Sequence, residues 1–528
     1  MERKSNEKGI MELSLIEKGQ KGLLRALFGR TGIIVLLLLL QIALLVVVFQ
    51  QFNEFAPQLY TAMTVIAIIT VLYLLNSSTD PSAKITWLII IALIPVFGAL
   101  LLVYTQMDVG HRTLKRAIFR TIDSTRTAIP QDQEVMDELS VESTETAALA
   151  QYLSRSSCHP VFKNTNVVYF PLGEDKFNAL VGQLERAEKF IFLEYFIIDE
   201  GLMWGSILDI LARKAREGVE VRVMYDGSCE FSTLPHSYPK LLRNLGIQCK
   251  VFSPARPFLS THYNYRDHRK ILVIDGHTAF TGGVNMADEY INHTVKYGHW
   301  KDTAIMVQGD AAKSFTLMFL QMWNGMEKKP VYAKYLAAHT YPMAEANGYV
   351  IPYGDCPLDQ DKVGERVYMD ILNRAQRYVH IMSPYLILDG ELETALKYAA
   401  ERGVEVSLIL PGIPDKKIPY ALAKTHYASL MASGVKIYEY TPGFVHAKVF
   451  VSDDCKAVVG TINLDYRSLY HHFECAAYLY KTDCIPDIER DFQETLALCR
   501  PVTRETLRKE PLTRKATGIV MKAIAPLM

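Results

Sequence analysis

The sequence predicts an α/β protein built from two homologous halves and preceded by N-terminal transmembrane helices. Three observations carry this reading: an apolar N-terminal region, a duplicated alternation of strands and helices, and a polar motif that repeats with the duplication. The 528 residues are enough for about three domains at roughly 100–200 residues each. Lys and Arg number 57 and Asp and Glu also 57, so the formal charge is zero. Such a balance offers no global basic surface for nucleic acid, and none is expected as a partner. A content of 49% hydrophobic and 22% charged residues excludes a disordered chain.

Between Arg30 and Asp108 the only charged residues are Glu54, Asp80 and Lys84. They leave three apolar runs: Thr31 to Phe49, Leu59 to Leu75 and Ile85 to Tyr104. A helix needs roughly 20 apolar residues, and at least about 17, to cross a bilayer. The runs therefore predict two or three transmembrane helices and a multi-pass membrane protein. The first run begins too late, and is too long, for a signal peptide. Basic residues flank both ends of the region: seven Lys/Arg precede it, and Arg112, Lys115, Arg116, Arg120 and Arg126 follow. The positive-inside rule thus argues for a cytoplasmic location of both ends. That conflicts with three spans and leaves two spans, or one span and a re-entrant loop, open. The cysteines all lie beyond the apolar region and form no Cys-x-x-Cys or Cys/His metal spacing.

The globular part matches itself. Gly218-Val-Glu-Val-Arg-Val-Met-Tyr answers to Gly403-Val-Glu-Val-Ser-Leu-Ile-Leu, and Gly246-Ile-Gln-Cys-Lys-Val-Phe to Gly434-Val-Lys-Ile-Tyr-Glu-Tyr. Each half reads strand, helix, strand, helix, strand, with helices over 203–217 and 238–245, then 390–402 and 424–433. The strand runs are near-continuously apolar, as buried strands in an α/β sheet are. The boundaries drawn from this are 1–108 for the anchor, 109–150 for a basic juxtamembrane linker, 151–330 and 331–500 for the two halves, and 501–528 for a basic amphipathic tail.

After the third matched strand each half carries the same polar set. The first is His268-Arg-Lys270, then Asp275 and Asn285; the second is His446-Ala-Lys448, then Asp453 and Asn463. Both read His-x-Lys-x4-Asp, with an Asn 17 residues after the His. One such match is weak, but two in register within a repeat are specific. On a strand, positions i and i+2 share a face, so each His and Lys project together. A pseudo-two-fold axis would bring both pairs into one cleft of two imidazoles and two ammonium groups. A phosphodiester reaction needs such a cleft: positive charge on the nonbridging oxygens, a nucleophile, and a proton donor opposite it. Asn285 and Asn463 offer neutral donors to the same oxygens.

With these motifs the sequence resembles the phospholipase D superfamily, and within it the bacterial cardiolipin synthases. The resemblance covers nearly the whole chain, from Pro81-Ser-Ala-Lys-Ile-Thr-Trp87 to Ala525-Pro-Leu-Met528. It departs at His471-His472-Phe473-Glu474, where many members have Leu-Asn-Phe-Glu. The resemblance implies two phospholipase D-type α/β sandwich halves in a bacterial cell membrane. It implies a catalytic set of His268, Lys270, Asp275, His446, Lys448 and Asp453, with the two aspartates bracing the motif strands. The implied reaction transfers a phosphatidyl group between two phosphatidylglycerols through a phosphatidyl-histidine, giving cardiolipin and glycerol. A phosphatidylserine synthase, a phospholipase D and a non-catalytic lipid-binding scaffold are the alternatives. No cofactor or metal is expected, since Lys270 and Lys448 supply the charge a cation would bring.

An imidazole nucleophile works best when its far nitrogen donates to a carboxylate. Asp302 follows His268 by 34 residues and Glu474 follows His446 by 28, so each is expected to orient the His of its own half. Arg266 and Arg269 flank His268 and would keep it neutral, which makes it the expected nucleophile and His446 the acid/base.

Overall fold

The computed structural model describes residues 39, 42, 43, 56–77, 79–106, 111–156, 159–254, 265–325, 327, 329–337, 346–359 and 361–527. The chain divides into an N-terminal helical unit through Arg112 and a larger unit that begins at Thr113.

The N-terminal unit holds helices Ala56–Asn76, Pro81–Leu93 and Pro95–Gln106 around Leu74, Trp87, Ile91 and Leu102. Asp80 starts the second helix, its Oδ1 accepting from Ser82 N at 2.9 Å and Ala83 N at 3.2 Å, with Pro81 in the first turn. The expected transmembrane helices are not found: among the described residues, no helix is long and apolar enough to cross a membrane. The third apolar run is broken because Pro95 forces Ile94 out of helical geometry (φ −142°, ψ 79°). The resulting helices of 13 and 12 residues are only about 20 and 18 Å long. The second run lies within the 21-residue helix Ala56–Asn76. The first run falls almost wholly outside the described residues.

The larger unit contains the duplication. Its first sheet has seven strands in the order Thr165–Phe170, Ala304–Gly309, Thr278–Gly282, Lys270–Ile274, Phe190–Tyr195, Glu220–Asp226 and Gln248–Phe252. The second repeats that order with Tyr349–Asp355, His472–Tyr480, Lys456–Gly460, Val449–Ser452, Tyr378–Met382, Glu405–Pro411 and Lys436–Tyr440, and adds Cys499–Pro501 at the edge. In both, the three matched strands run parallel and the motif strand lies antiparallel beside the first of them. Parallel strands need crossover helices, here Leu202–Arg216, Tyr238–Asn244, Gly390–Glu401 and Lys417–Ala432.

One core joins the halves: Phe192, Ile271, Val273 and Ile305 of the first sheet cluster with Val449, Val451, Val459 and Ala477 of the second. Helix Ala312–Asn324 belongs to this core and is buried on nearly every side. It buries Ser314, Thr316, Gln321 and Asn324 together with its apolar residues.

Two boundaries differ from the sequence reading. Residues 109–150 are not a linker. Helices Gln133–Glu142 and Thr144–Ser156 bury Leu139, Ala147, Ala150 and Leu153 in the core of the second half. Their short apolar spacing is masked by charge in the sequence. The tail helix Leu512–Lys522 packs on helix Lys417–Ala432, where a Cβ on Gly518 would lie 2.5 Å from Ala421 O. Ile519 and Val520 remain exposed.

The motif aspartates hold backbone. Asp275 accepts from the amides of Glu188, Lys189 and Phe190 at 2.7–2.9 Å, and Asp453 from those of Gln376, Arg377 and Tyr378 at 2.9–3.0 Å. Both residues have positive φ (53° and 54°), which Asp tolerates. Each clamps the start of the first matched strand, and Asp275 lies a whole five-residue strand, about 16 Å, from Lys270. They are structural rather than catalytic. Asp275→Ala and Asp453→Ala should each lower the unfolding free energy by about 3 kcal/mol in urea titration, through lost charge-assisted bonds. Turnover per folded molecule should stay within about threefold.

Candidate active site

Two short exchanges of backbone pairing build the site. Arg266–Asp267, leading into the first motif, pairs parallel with His472–Phe473 of the second half. Gly443–Val445, leading into the second motif, pairs parallel with His299–Lys301 of the first. Each ladder ends on a histidine amide: His268 N donates to Phe473 O at 2.9 Å, and His446 N to Lys301 O at 2.7 Å. The residue after each acceptor is a carboxylate, so each histidine faces the other half's acid. His268 Nδ1 lies 2.9 and 3.0 Å from the two Glu474 oxygens, and His446 Nδ1 lies 2.7 Å from Asp302 Oδ2. The expectation that Asp302 serves His268 and Glu474 serves His446 is thereby reversed. Spacing along the chain suggested partners within a half; the exchanged ladders override it.

The two carboxylates are fully buried and seated differently. Asp302 accepts from Thr303 N at 2.8 Å and lies against Gly283, where a Cβ would come within 1.9 Å of its Oδ1. At the corresponding place the second half has Thr461, whose hydroxyl donates to Glu474; Ser468 Oγ donates to Glu474 Oε1 at 2.6 Å. Burial pushes the Glu474 carboxyl up, but His268 and His472 outweigh it and hold the group below the usual carboxylate range. Burial holds His268 well below the ordinary imidazole value against the pull of Glu474, and brings His446 down to about 4 with help from Lys448.

Lys270 Nζ donates to His268 O at 2.6 Å. Lys448 Nζ donates to His446 O and also lies 2.9 Å from His446 Nδ1. Burial lowers Lys270 to about 8 and Lys448 to about 7; in Lys448 the charge of Lys270 adds to the effect. The charges of the two motifs act on each other, since the Lys270 ammonium is among the groups that lower both His446 and Lys448.

Of the remaining expected residues, Asn285 is committed to structure: it accepts from Ile197 N at 3.1 Å and donates to Tyr290 OH at 2.7 Å. Asn463 Oδ1 is buried without a hydrogen-bond partner among the described residues. Arg266 and Arg269 do not act on His268 as expected, because Arg266 pairs with Asp226 and Arg269 with Glu194 and Asp267. Sequence reasoning missed Lys176. It is buried, donates to Tyr195 OH (3.2 Å) and Val284 O (3.1 Å), and is lowered to about 7 by burial while Asp302 pulls the other way. A lone Lys on an amphipathic helix gave no signal. Tyr290, Trp300 and Phe444 surround His446, with ring centroids 5.4–5.8 Å away, while Phe196 (4.8 Å) and His472 (5.2 Å) surround His268. A cavity of about 330 Å³ opens behind the first motif, against Arg269 and Phe473, and is lined by neither motif histidine.

Two duplicated α/β halves, each giving a His-Lys pair and a carboxylate to one cleft, define a phosphatidyltransferase of the phospholipase D type. The family model described as "Cardiolipin synthase, PLD-like domain" matches residues 180–323 and 368–496, and "Phospholipase_D-nuclease N-terminal" matches 62–102. A cardiolipin synthase of Alkalihalophilus pseudofirmus is 32% identical over 85% of this chain and 89% of its own length. One of Geobacillus kaustophilus is 33% identical over 85% and 89%. An uncharacterized protein of Streptococcus mutans is 59% identical over 87% of this chain and 99% of its own. The crystal structure of a Haemophilus influenzae phosphatidylserine synthase shares the fold: TM-score 0.55, 14% identity, covering 72% of this chain and 98% of that one. The chain belongs to the cardiolipin synthases of the phospholipase D superfamily.

Two outcomes follow from the seating of these groups. Gly283→Ala should reduce turnover at least about a hundredfold with the fold retained by circular dichroism, because the new methyl displaces Asp302. Lysine carries its charge below its pKa, so kcat/KM should decline as pH rises through about 7 and Lys448 becomes neutral. Lys448→Arg, which stays charged, should move that limb to higher pH in a mixed-micelle assay.

Proposed function

We propose that this cardiolipin synthase joins two phosphatidylglycerols through a phosphatidyl intermediate on His268, releasing glycerol. His268 Nε2 attacks phosphorus, and the bond from phosphorus to the glycerol oxygen breaks as His446 delivers a proton to it. The hydroxyl of a second phosphatidylglycerol then gives its proton to His446 and attacks phosphorus. The P–N bond breaks and both histidines return to their starting state. Lys270 and Lys448 balance charge on the nonbridging oxygens.

The assignment of roles is supported by the unequal seating of the two rings: His268 Nδ1 meets both Glu474 oxygens at 2.9 and 3.0 Å, and His446 Nδ1 meets one Asp302 oxygen, Oδ2, at 2.7 Å. Asp302 Oδ2 accepts the Nδ1 proton of His446 and stabilises the protonated ring that delivers its Nε2 proton to the leaving oxygen. His268 Nδ1 faces only the ionised Glu474, so it carries the proton and leaves the Nε2 lone pair toward phosphorus. This replaces the argument from Arg266 and Arg269. A lipid surface as the working site is supported by the N-terminal unit, which exposes Val65, Ile66, Ile69, Ile85, Ile89 and Leu93.

Lipid extracts after overexpression should gain cardiolipin at the expense of phosphatidylglycerol. With a radiolabelled donor whose leaving group needs no protonation, His446→Ala should accumulate the covalent adduct and His268→Ala should form none. The reverse pattern would exchange the two roles. Because the pairing is crossed, Glu474→Gln should slow adduct formation and Asp302→Asn should spare it, each read in the same trapping assay.

A further inference from the structure

Beside the reacting histidine the second half places an imidazole that the reaction above does not use. His472 and Glu474 sit on the same strand, and the ligand atoms of His268, His472 and Glu474 all lie within 4.8 Å of one another. Glu474 Oε1 is 2.9 Å from His268 Nδ1 and 3.5 Å from His472 Nδ1. His472 is 7% exposed, and its Nδ1 has no hydrogen-bond partner among the described residues. A tetrahedral zinc site with bonds of about 2.0–2.1 Å sets its ligand atoms about 3.4 Å apart, near the 2.9 and 3.5 Å that separate Glu474 Oε1 from the two imidazole nitrogens. Two imidazoles and a carboxylate are also a donor set zinc favours. Thr461 and Ser468, which already bond the Glu474 oxygens, would orient the carboxylate as outer-shell partners do. The cleft would supply water as the fourth ligand. The other half has no such set, because Trp300 stands two residues before Asp302 as His472 stands two before Glu474.

We infer that His268, His472 and Glu474 form a binding site for Zn²⁺, and that the bound ion silences the transferase. The silencing follows from the tautomer. Catalysis keeps the single proton of neutral His268 on Nδ1, donated to Glu474, with the lone pair on Nε2. A metal on Nδ1 takes the lone pair there, so the ring proton moves to Nε2 and nothing remains to attack phosphorus. The ion and the phosphatidyl group thus exclude each other without touching. The ammonium of Lys270 opposes a cation at this place, so the site is reversible rather than a permanent structural centre. Binding does not depend on which histidine is the nucleophile; the silencing rests on the assignment of His268 made above.

The test uses the full chain in detergent, freed of metal by chelator dialysis. Buffered Zn²⁺ competition against a chromogenic chelator should give one site per chain. Transfer in mixed micelles should fall at least about tenfold at saturation and recover on adding chelator. His472→Asn and His472→Phe should each weaken Zn²⁺ binding at least tenfold and abolish the difference between activity with and without the ion. Equal binding by either folded variant and the unaltered chain would overturn the site and leave the trapping result untouched. Binding that depends on His472 but leaves transfer unchanged would overturn the silencing, and with it the tautomer assigned to His268.

Discussion

The exchange of two-residue ladders between the halves is the constraint on which the site depends. A histidine amide bonded to the partner half's strand lies one residue from a carboxylate that this strand supplies. Neither His268 nor His446 has an acid from its own half, so no half is catalytically complete. The exchange also eases an electrostatic problem. Lys176, Lys270 and Lys448 are buried with Asp302 and Glu474, and isolated charges at this depth would be strongly unfavourable. Glu474 of the second half acts on Lys270 of the first, and Asp302 of the first half on Lys448 of the second, which offsets part of this cost. The lysines still feel the burial, and their lowered proton affinity ties the cleft's charge to conditions near neutrality.

Duplication gave two matching frames with different fillings. Gly283 corresponds to Thr461, Asp302 to Glu474, and Trp300 to His472, as their places on paired strands show. The short acid needs the bare backbone of a glycine opposite it, and the long acid leaves room for a threonine that bonds it. A ring that only packs has its counterpart in a ring that carries nitrogen. These three pairs make two equivalent histidines chemically unlike, without altering either motif.

Much of this was legible in the sequence. The alternation of apolar strands and amphipathic helices, and the doubled His-x-Lys-x4-Asp, led to the duplicated α/β architecture. The crossed pairing was not legible, because strands of two or three residues have no periodicity and their partners lie about 140 or 200 residues away. Lys176 was hidden for a related reason: its burial is decided by contacts with Tyr195 and Val284 from other elements. The third apolar run misled in the opposite way. Its composition satisfied a length rule, while one local feature, the residue before Pro95, cut the helix in two.

Crossed pairing in a single chain has a kinetic meaning as well. Two separate halves would have to find each other before either imidazole was oriented, and at low abundance most would remain unpaired. The segment between Asn324 and Tyr349 turns that encounter into an intramolecular event. Tethers of this kind give effective concentrations of about millimolar. Pairing of the two halves is therefore independent of how much protein the cell makes.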